Sequence, residues 1–123
     1  MSDKKLVLLV DDDSDFNDSY SLILGKEGYE TAVAMRSDDG LKKAKELNPN
    51  LIILDVMMES ADSGFEFAKK MNEDGLKIPI ILSSSIADAS ASYFNMAELN
   101  VKAVMQKPIE IDEFIAACAK YAR

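Results

Sequence analysis

Three short apolar runs end at polar, chemically useful residues. Leu6-Val7-Leu8-Leu9-Val10 runs into Asp11-Asp12-Asp13, Leu51-Ile52-Ile53-Leu54 into Asp55, and Val101 to Met105 into Gln106-Lys107-Pro108. Runs this apolar predict strands buried on both faces, as in a parallel sheet. Tyr29 to Ala34 and Ile78 to Leu82 read as two further strands, the second opened by Pro79, a residue tolerated at a strand start.

Helical patterns fill the intervals. Ser14 is a candidate N-cap for a helix carrying Phe16, Tyr20, Ile23 and Leu24, which Gly25 and Gly28 weaken and end. Ser37 is a candidate cap for a helix with Leu41, Ala44 and Leu47, stopped by Asn48-Pro49-Asn50. A polar loop from Glu59 to Gly64 precedes a helix with Phe65, Phe67, Ala68 and Met71, and Asp74-Gly75 turns the chain. Ala87 to Leu99 is the weakest helical pattern, and Ile111, Phe114, Ile115 and Cys118 mark the apolar face of a closing helix.

Strand and helix alternate throughout. Five β-α units in 123 residues predict a doubly wound α/β fold with a five-stranded parallel sheet and helices on both faces. One common strand order is 2-1-3-4-5, which places the switch point between the first and third strands. Ligands bind such sheets beyond the carboxyl ends of the strands. Asp11, Asp12 and Asp55 then lie side by side at that edge, with Ser84 after the fourth strand and Lys107 after the fifth.

Composition narrows the chemistry. The length suits one domain, residues 1–123, and 48% apolar residues suffice for a core. A single cysteine, Cys118, excludes an internal disulfide and fits a reducing compartment. Its place on an apolar helix face makes it a small buried hydrophobe. Without histidine, His-based triads, His metal sites and a self-supplied phosphohistidine are excluded. A net charge of −8 opposes nucleic-acid binding. The apolar stretch after Lys5 is too short for a signal peptide or membrane span, so a cytoplasmic, soluble protein is expected.

Converging carboxylates repel one another and require compensating charge. Mg²⁺ suits the site: it is a hard ion that takes one or two carboxylates and favours phosphate oxygens. Taken alone, Asp11-Asp12-Asp13 fits a metal pocket or a helix cap equally well, and Asp55 and Lys107 in matching positions favour the pocket. With Mg²⁺ held by Asp11 and Asp12, Asp55 can attack phosphorus to give an aspartyl phosphate. Lys107 and the Ser84 hydroxyl can neutralise further phosphoryl oxygens.

These residues resemble the receiver domain of two-component response regulators, and the resemblance covers the whole chain. The matching segments are Val10-Asp11-Asp12-Asp13, Leu54-Asp55-Val56-Met57-Met58, Pro79-Ile80-Ile81-Leu82-Ser83-Ser84 and Lys107-Pro108. The resemblance implies a flavodoxin-like fold, Asp55 as phosphoryl acceptor, and Asp11 and Asp12 as Mg²⁺ ligands together with the Met57 carbonyl. It implies that Ser84 takes the family's threonine or serine position, that Lys107 pairs with the phosphoryl group, and that Lys107-Pro108 is often cis. The donor is then a phosphohistidine on a histidine kinase or histidine phosphotransfer protein, and a protein target receives the signal. Asp13 falls outside the family's acidic pair and is expected to be exposed or capping.

The chain departs from the family in three places. Glu59-Ser60-Ala61-Asp62-Ser63-Gly64 replaces a loop that commonly reads Pro-Gly-Met-Asp-Gly, and Glu59 is expected to face solvent. Val104 stands where many receivers carry Tyr or Phe, so the outward signal needs other groups. Met57 and Ile86 cannot orient a hydrolytic water, which implies slow self-dephosphorylation. If the chain is complete, output runs through protein contacts on the face of the fourth helix, fifth strand and fifth helix. Two alternatives compete with the receiver reading. One is a haloacid-dehalogenase-like phosphatase with Asp11 as nucleophile, which leaves Asp55 unexplained. The other is a flavodoxin-like binding module, which needs a phosphate-cradling loop where acids stand.

Overall fold

The computed structural model describes residues 4–56, 63–84 and 100–123. Its elements in chain order are β1 (Leu6–Val10), α1 (Ser14–Lys26), β2 (Glu30–Ala34), α2 (Ser37–Leu47), β3 (Leu51–Asp55), α3 (Ser63–Glu73), β4 (Ile80–Ser84), β5 (Val101–Gln106) and α4 (Ile111–Tyr121). The five strands form one sheet in the order β2-β1-β3-β4-β5, and every neighbouring pair is parallel.

Alternation along each strand divides the apolar residues between two cores. Val7, Leu9, Leu51, Ile53 and Ile81 pack with Phe16, Tyr20 and Leu24 of α1 and Phe114 and Cys118 of α4. Leu8, Val10, Ile52, Leu54, Ile80 and Leu82 pack with Ala44 of α2 and Phe67, Ala68 and Met71 of α3. Burial on both faces is why β1, β3 and β4 read as unbroken apolar runs, whereas β5, expected to be buried likewise, is an edge strand buried only at Val101. The chain switches faces between β1 and β3, which are sheet neighbours, and their carboxyl ends flank the resulting crevice.

Several expected boundaries move. Asp13, not Ser14, caps α1, its side chain accepting from the Asp15 and Phe16 N–H groups, because the backbone is still extended at Asp13. Arg36, not Ser37, is the N-cap of α2, again in extended backbone. Strand β2 begins one residue late, at Glu30. Strand β4 spans Ile80–Ser84 rather than 78–82. Pro79 has no N–H for the ladder, although its carbonyl accepts from Ile52.

Two apolar residues expected on helix faces are exposed. Ile111 lies in the first turn of α4 and Leu47 in the last turn of α2. Ile109, just ahead of α4, fills the core position instead. The expected stops hold. Asn48 ends α2 in the left-handed region, and Gly28 and Gly75 take positive φ after α1 and α3. The expected helix from Ala87 to Leu99, and with it part of the expected output face, lies outside the described residues. So do Met57, Glu59 and Ile86.

Cys118 is fully buried, and burial pushes its thiol up from 9.0 to about 12. Tyr29 is also raised from 10.0, first by burial and then by Cys118 and Glu27. The folded state therefore holds these protons more tightly than the unfolded chain, so their contribution is complete below pH 9.0 and is lost as pH rises toward about 12. Urea unfolding across that window should show stability falling with pH, and Cys118→Ala should make the fall shallower. An identical slope in the variant contradicts the assignment.

Candidate functional site

Each strand end delivers its side chain to the same edge through backbone ties. The Asp11 N–H donates to the Ala34 carbonyl at 3.0 Å, extending β1 toward β2. The Val56 N–H donates to Ser83 at 2.9 Å, and the Lys107 N–H to the Ser84 carbonyl at 2.7 Å. Asp11, Asp55, Ser84 and Lys107 are thus fixed relative to one another by sheet hydrogen bonds. The peptide bond between Lys107 and Pro108 is cis.

Asp11, Asp12 and Asp55 each offer a carboxylate oxygen, all within 4.8 Å of one another. Asp11 and Asp55 are buried at 1% and 6% exposure, while Asp12 is exposed. The Lys107 ammonium donates to Asp11 Oδ2 at 2.6 Å and stands 3.8 Å from Asp55 Oδ1. Asp11 Oδ1 accepts from the Asp13 N–H at 2.9 Å. Three carboxylates against one ammonium leave an excess of two negative charges, which one divalent cation balances. A donor set of carboxylate oxygens, with no imidazole in the chain and its one thiol buried at α4, suits a hard ion.

Ser84 is buried at the end of β4, opposite Gln106. Ser83, one residue earlier, pairs with Asp55 across the ladder. Asp13 is exposed and caps α1, as one of its two expected roles.

Three residues have supporting roles that the sequence did not reveal. Asn17 is buried and donates its amide to the Asp11 carbonyl at 2.8 Å, holding the turn that carries the acids. The ring of Phe16 lies 4.5 Å from the Lys107 ammonium. Gly64, the second residue of α3, lies against the end of β3: a Cβ there would meet the Asp55 carbonyl oxygen at 2.7 Å and Val56 Cα at 2.8 Å. Its N–H donates to the Val56 carbonyl at 2.8 Å. A glycine at the start of a helical pattern was the one available signal.

A family model described as the response regulator receiver domain matches residues 7–119. The chain belongs to that family. Among curated relatives, the transcriptional regulatory protein AfsQ1 of Streptomyces coelicolor is 37% identical over 82 residues, covering 67% of this chain and 36% of AfsQ1. The alkaline phosphatase synthesis transcriptional regulatory protein PhoP of Bacillus subtilis is 31% identical over 104 residues, covering 85% of this chain and 42% of PhoP. The receiver thus spans less than half the length of these two relatives. A crystal structure of a CheY-like response regulator receiver domain protein from Methanospirillum hungatei JF-1 superposes with a TM-score of 0.85 at 26% identity, covering 95% of this chain and 92% of that one.

Receiver membership bears out the expected fold and the two-component signalling role. The phosphatase alternative gains no support from the family match or the structural neighbours. Among the described residues no helix is long and apolar enough to cross a membrane.

Because Gly64 abuts strand backbone, Gly64→Ala should lower unfolding free energy by about 1–3 kcal/mol through overpacking. Helix propensity alone would raise it by up to about 1 kcal/mol. Urea denaturation of the two proteins decides the sign, and a more stable variant contradicts the close approach.

Proposed function

We propose that this receiver accepts a phosphoryl group on Asp55, with Asp11, Asp12 and Asp55 holding Mg²⁺, and Lys107 and Ser84 receiving the phosphoryl oxygens. One observation carries the proposal: three carboxylates meet within 4.8 Å at the switch point, with an ammonium 2.6 Å from Asp11 and 3.8 Å from Asp55. Bound there, Mg²⁺ supplies positive charge to the phosphoryl oxygens as the group transfers.

The remaining chemistry belongs to the chain. An Asp55 carboxylate oxygen forms the O–P bond as the P–N bond of a partner's phosphohistidine breaks. The electron pair returns to the imidazole, which leaves neutral when its second ring nitrogen carries the proton. Lys107 is close enough to Asp55 to turn from Asp11 toward the new phosphoryl group. Ser84, at the end of β4, can donate its hydroxyl to another oxygen and carry the change into the segment that follows. The Met57 carbonyl is a further metal ligand in this reading.

The donor is a histidine kinase or histidine phosphotransfer protein, since the chain has no histidine. The domain acts in the cytoplasm, catalyses only its own phosphorylation and dephosphorylation, and passes the signal to a protein target. Residues 1–123 form one receiver domain.

Incubation with acetyl phosphate and Mg²⁺, followed by intact-mass measurement, tests the acceptor. Wild type should gain one phosphate and Asp55→Ala none. No gain in wild type, or equal gain in both, contradicts the role of Asp55.

A further inference from the structure

Lys107 is fixed at both ends. Its backbone N–H is tied to the Ser84 carbonyl, and its ammonium bonds Asp11 at 2.6 Å. The ammonium also sits 4.5 Å from the centroid of the Phe16 ring, within the range of a cation–π attraction. That ring is not free to turn away. Phe16 is 8% exposed, and its centroid lies 4.4 Å from that of Tyr20, with the two planes tilted by 34°. Tyr20 is locked in turn: its hydroxyl donates to the Ile109 carbonyl at 2.7 Å, and its ring meets Phe114 of α4 edge-on at 4.7 Å. The tyrosine therefore ties together α1, α4 and the turn that follows Lys107-Pro108.

We infer that Phe16 is a positioning residue for Lys107, its face holding the ammonium at the pocket while leaving it able to turn. Resting on the phosphoacceptor proposal, the inference supplies what an ion pair alone lacks. A lysine held only by Asp11 would lose its anchor as it swung toward Asp55. The attraction to a ring face is broad in direction, so the ammonium can exchange Asp11 for phosphoryl oxygens without leaving the ring. Leu or Ile at this position would fill the same core space without the negative face that attracts a cation.

A groove of about 320 Å³ passes between Phe16, Tyr20, Lys107 and Pro108. Phe16→Tyr keeps the ring face and is the conservative replacement, and Phe16→Leu removes it and is the disabling one.

Two measurements test the inference together. The first is NMR of wild type and Phe16→Leu. A ring above the Lys107 terminus shifts its ε-methylene protons upfield, and the shift should vanish in Phe16→Leu. The second is the initial rate of phosphorylation by acetyl phosphate at saturating Mg²⁺, with folding of each variant checked by thermal melting. Phe16→Leu should slow the reaction by about three- to tenfold, because an ammonium no longer held at the pocket is less often placed for the phosphoryl oxygens. Phe16→Tyr should restore most of it. In a Lys107→Met background Phe16→Leu should have no further effect, because the lysine through which the ring acts is gone.

Absence of the upfield shift in wild type overturns the inference. So does an unchanged rate in Phe16→Leu, or an equal slowing with and without Lys107, which would mark a purely structural role. If wild type takes up no phosphate, the phosphoacceptor proposal fails by itself, and the proton shifts still decide whether the ring holds the lysine.

Discussion

The geometry of this receiver depends on one electrostatic constraint. Asp11, Asp12 and Asp55 bring carboxylates within 4.8 Å of one another at the carboxyl edge of the sheet, two of them buried. Such a group is stable only with compensating charge. Lys107, with its ammonium 2.6 Å from Asp11 and 3.8 Å from Asp55, supplies part of it. The site is left short of positive charge by an amount suited to a divalent cation and the phosphoryl chemistry such an ion assists. Repulsion among these carboxylates costs stability and is relieved by any cation that enters the cluster.

The fold exists around this site in a definite sense. The order β2-β1-β3-β4-β5 makes β1 and β3 neighbours and opens a crevice where helices leave toward opposite faces. Sheet hydrogen bonds beneath the crevice fix Asp11 to β2, Val56 to β4 and Lys107 to Ser84. Asn17 holds the backbone of the first acid from α1, and Gly64 lets α3 begin against the backbone of the third. The charged groups thus sit on rigid elements, with apolar cores on both sides of the sheet.

Strands and acids were legible in the sequence because their signals are strong and local. Burial on both faces writes an unbroken apolar run, and an aspartate closing such a run stands out. Caps and strand limits were less legible. Asp13 and Ser14 both favour a cap, and only the backbone conformation chooses between them. Ile78 is as apolar as the strand it precedes, yet the ladder starts after Pro79. The roles of Phe16, Asn17 and Gly64 were hidden because each depends on a partner far along the chain or across an element boundary. Phe16 reads as an ordinary core aromatic until Lys107, 91 positions later, is brought over its ring.

Mg²⁺ affinity, measured by isothermal titration calorimetry on wild type and Lys107→Met, tests the charge balance most directly. Wild type should bind Mg²⁺ saturably, and Lys107→Met should bind it about threefold or more tightly, because the competing ammonium is gone. A generally damaged pocket would bind more weakly, so the sign of the change is decisive. Loss of affinity in Lys107→Met, or no Mg²⁺ binding by wild type, would contradict a metal site governed by this charge balance.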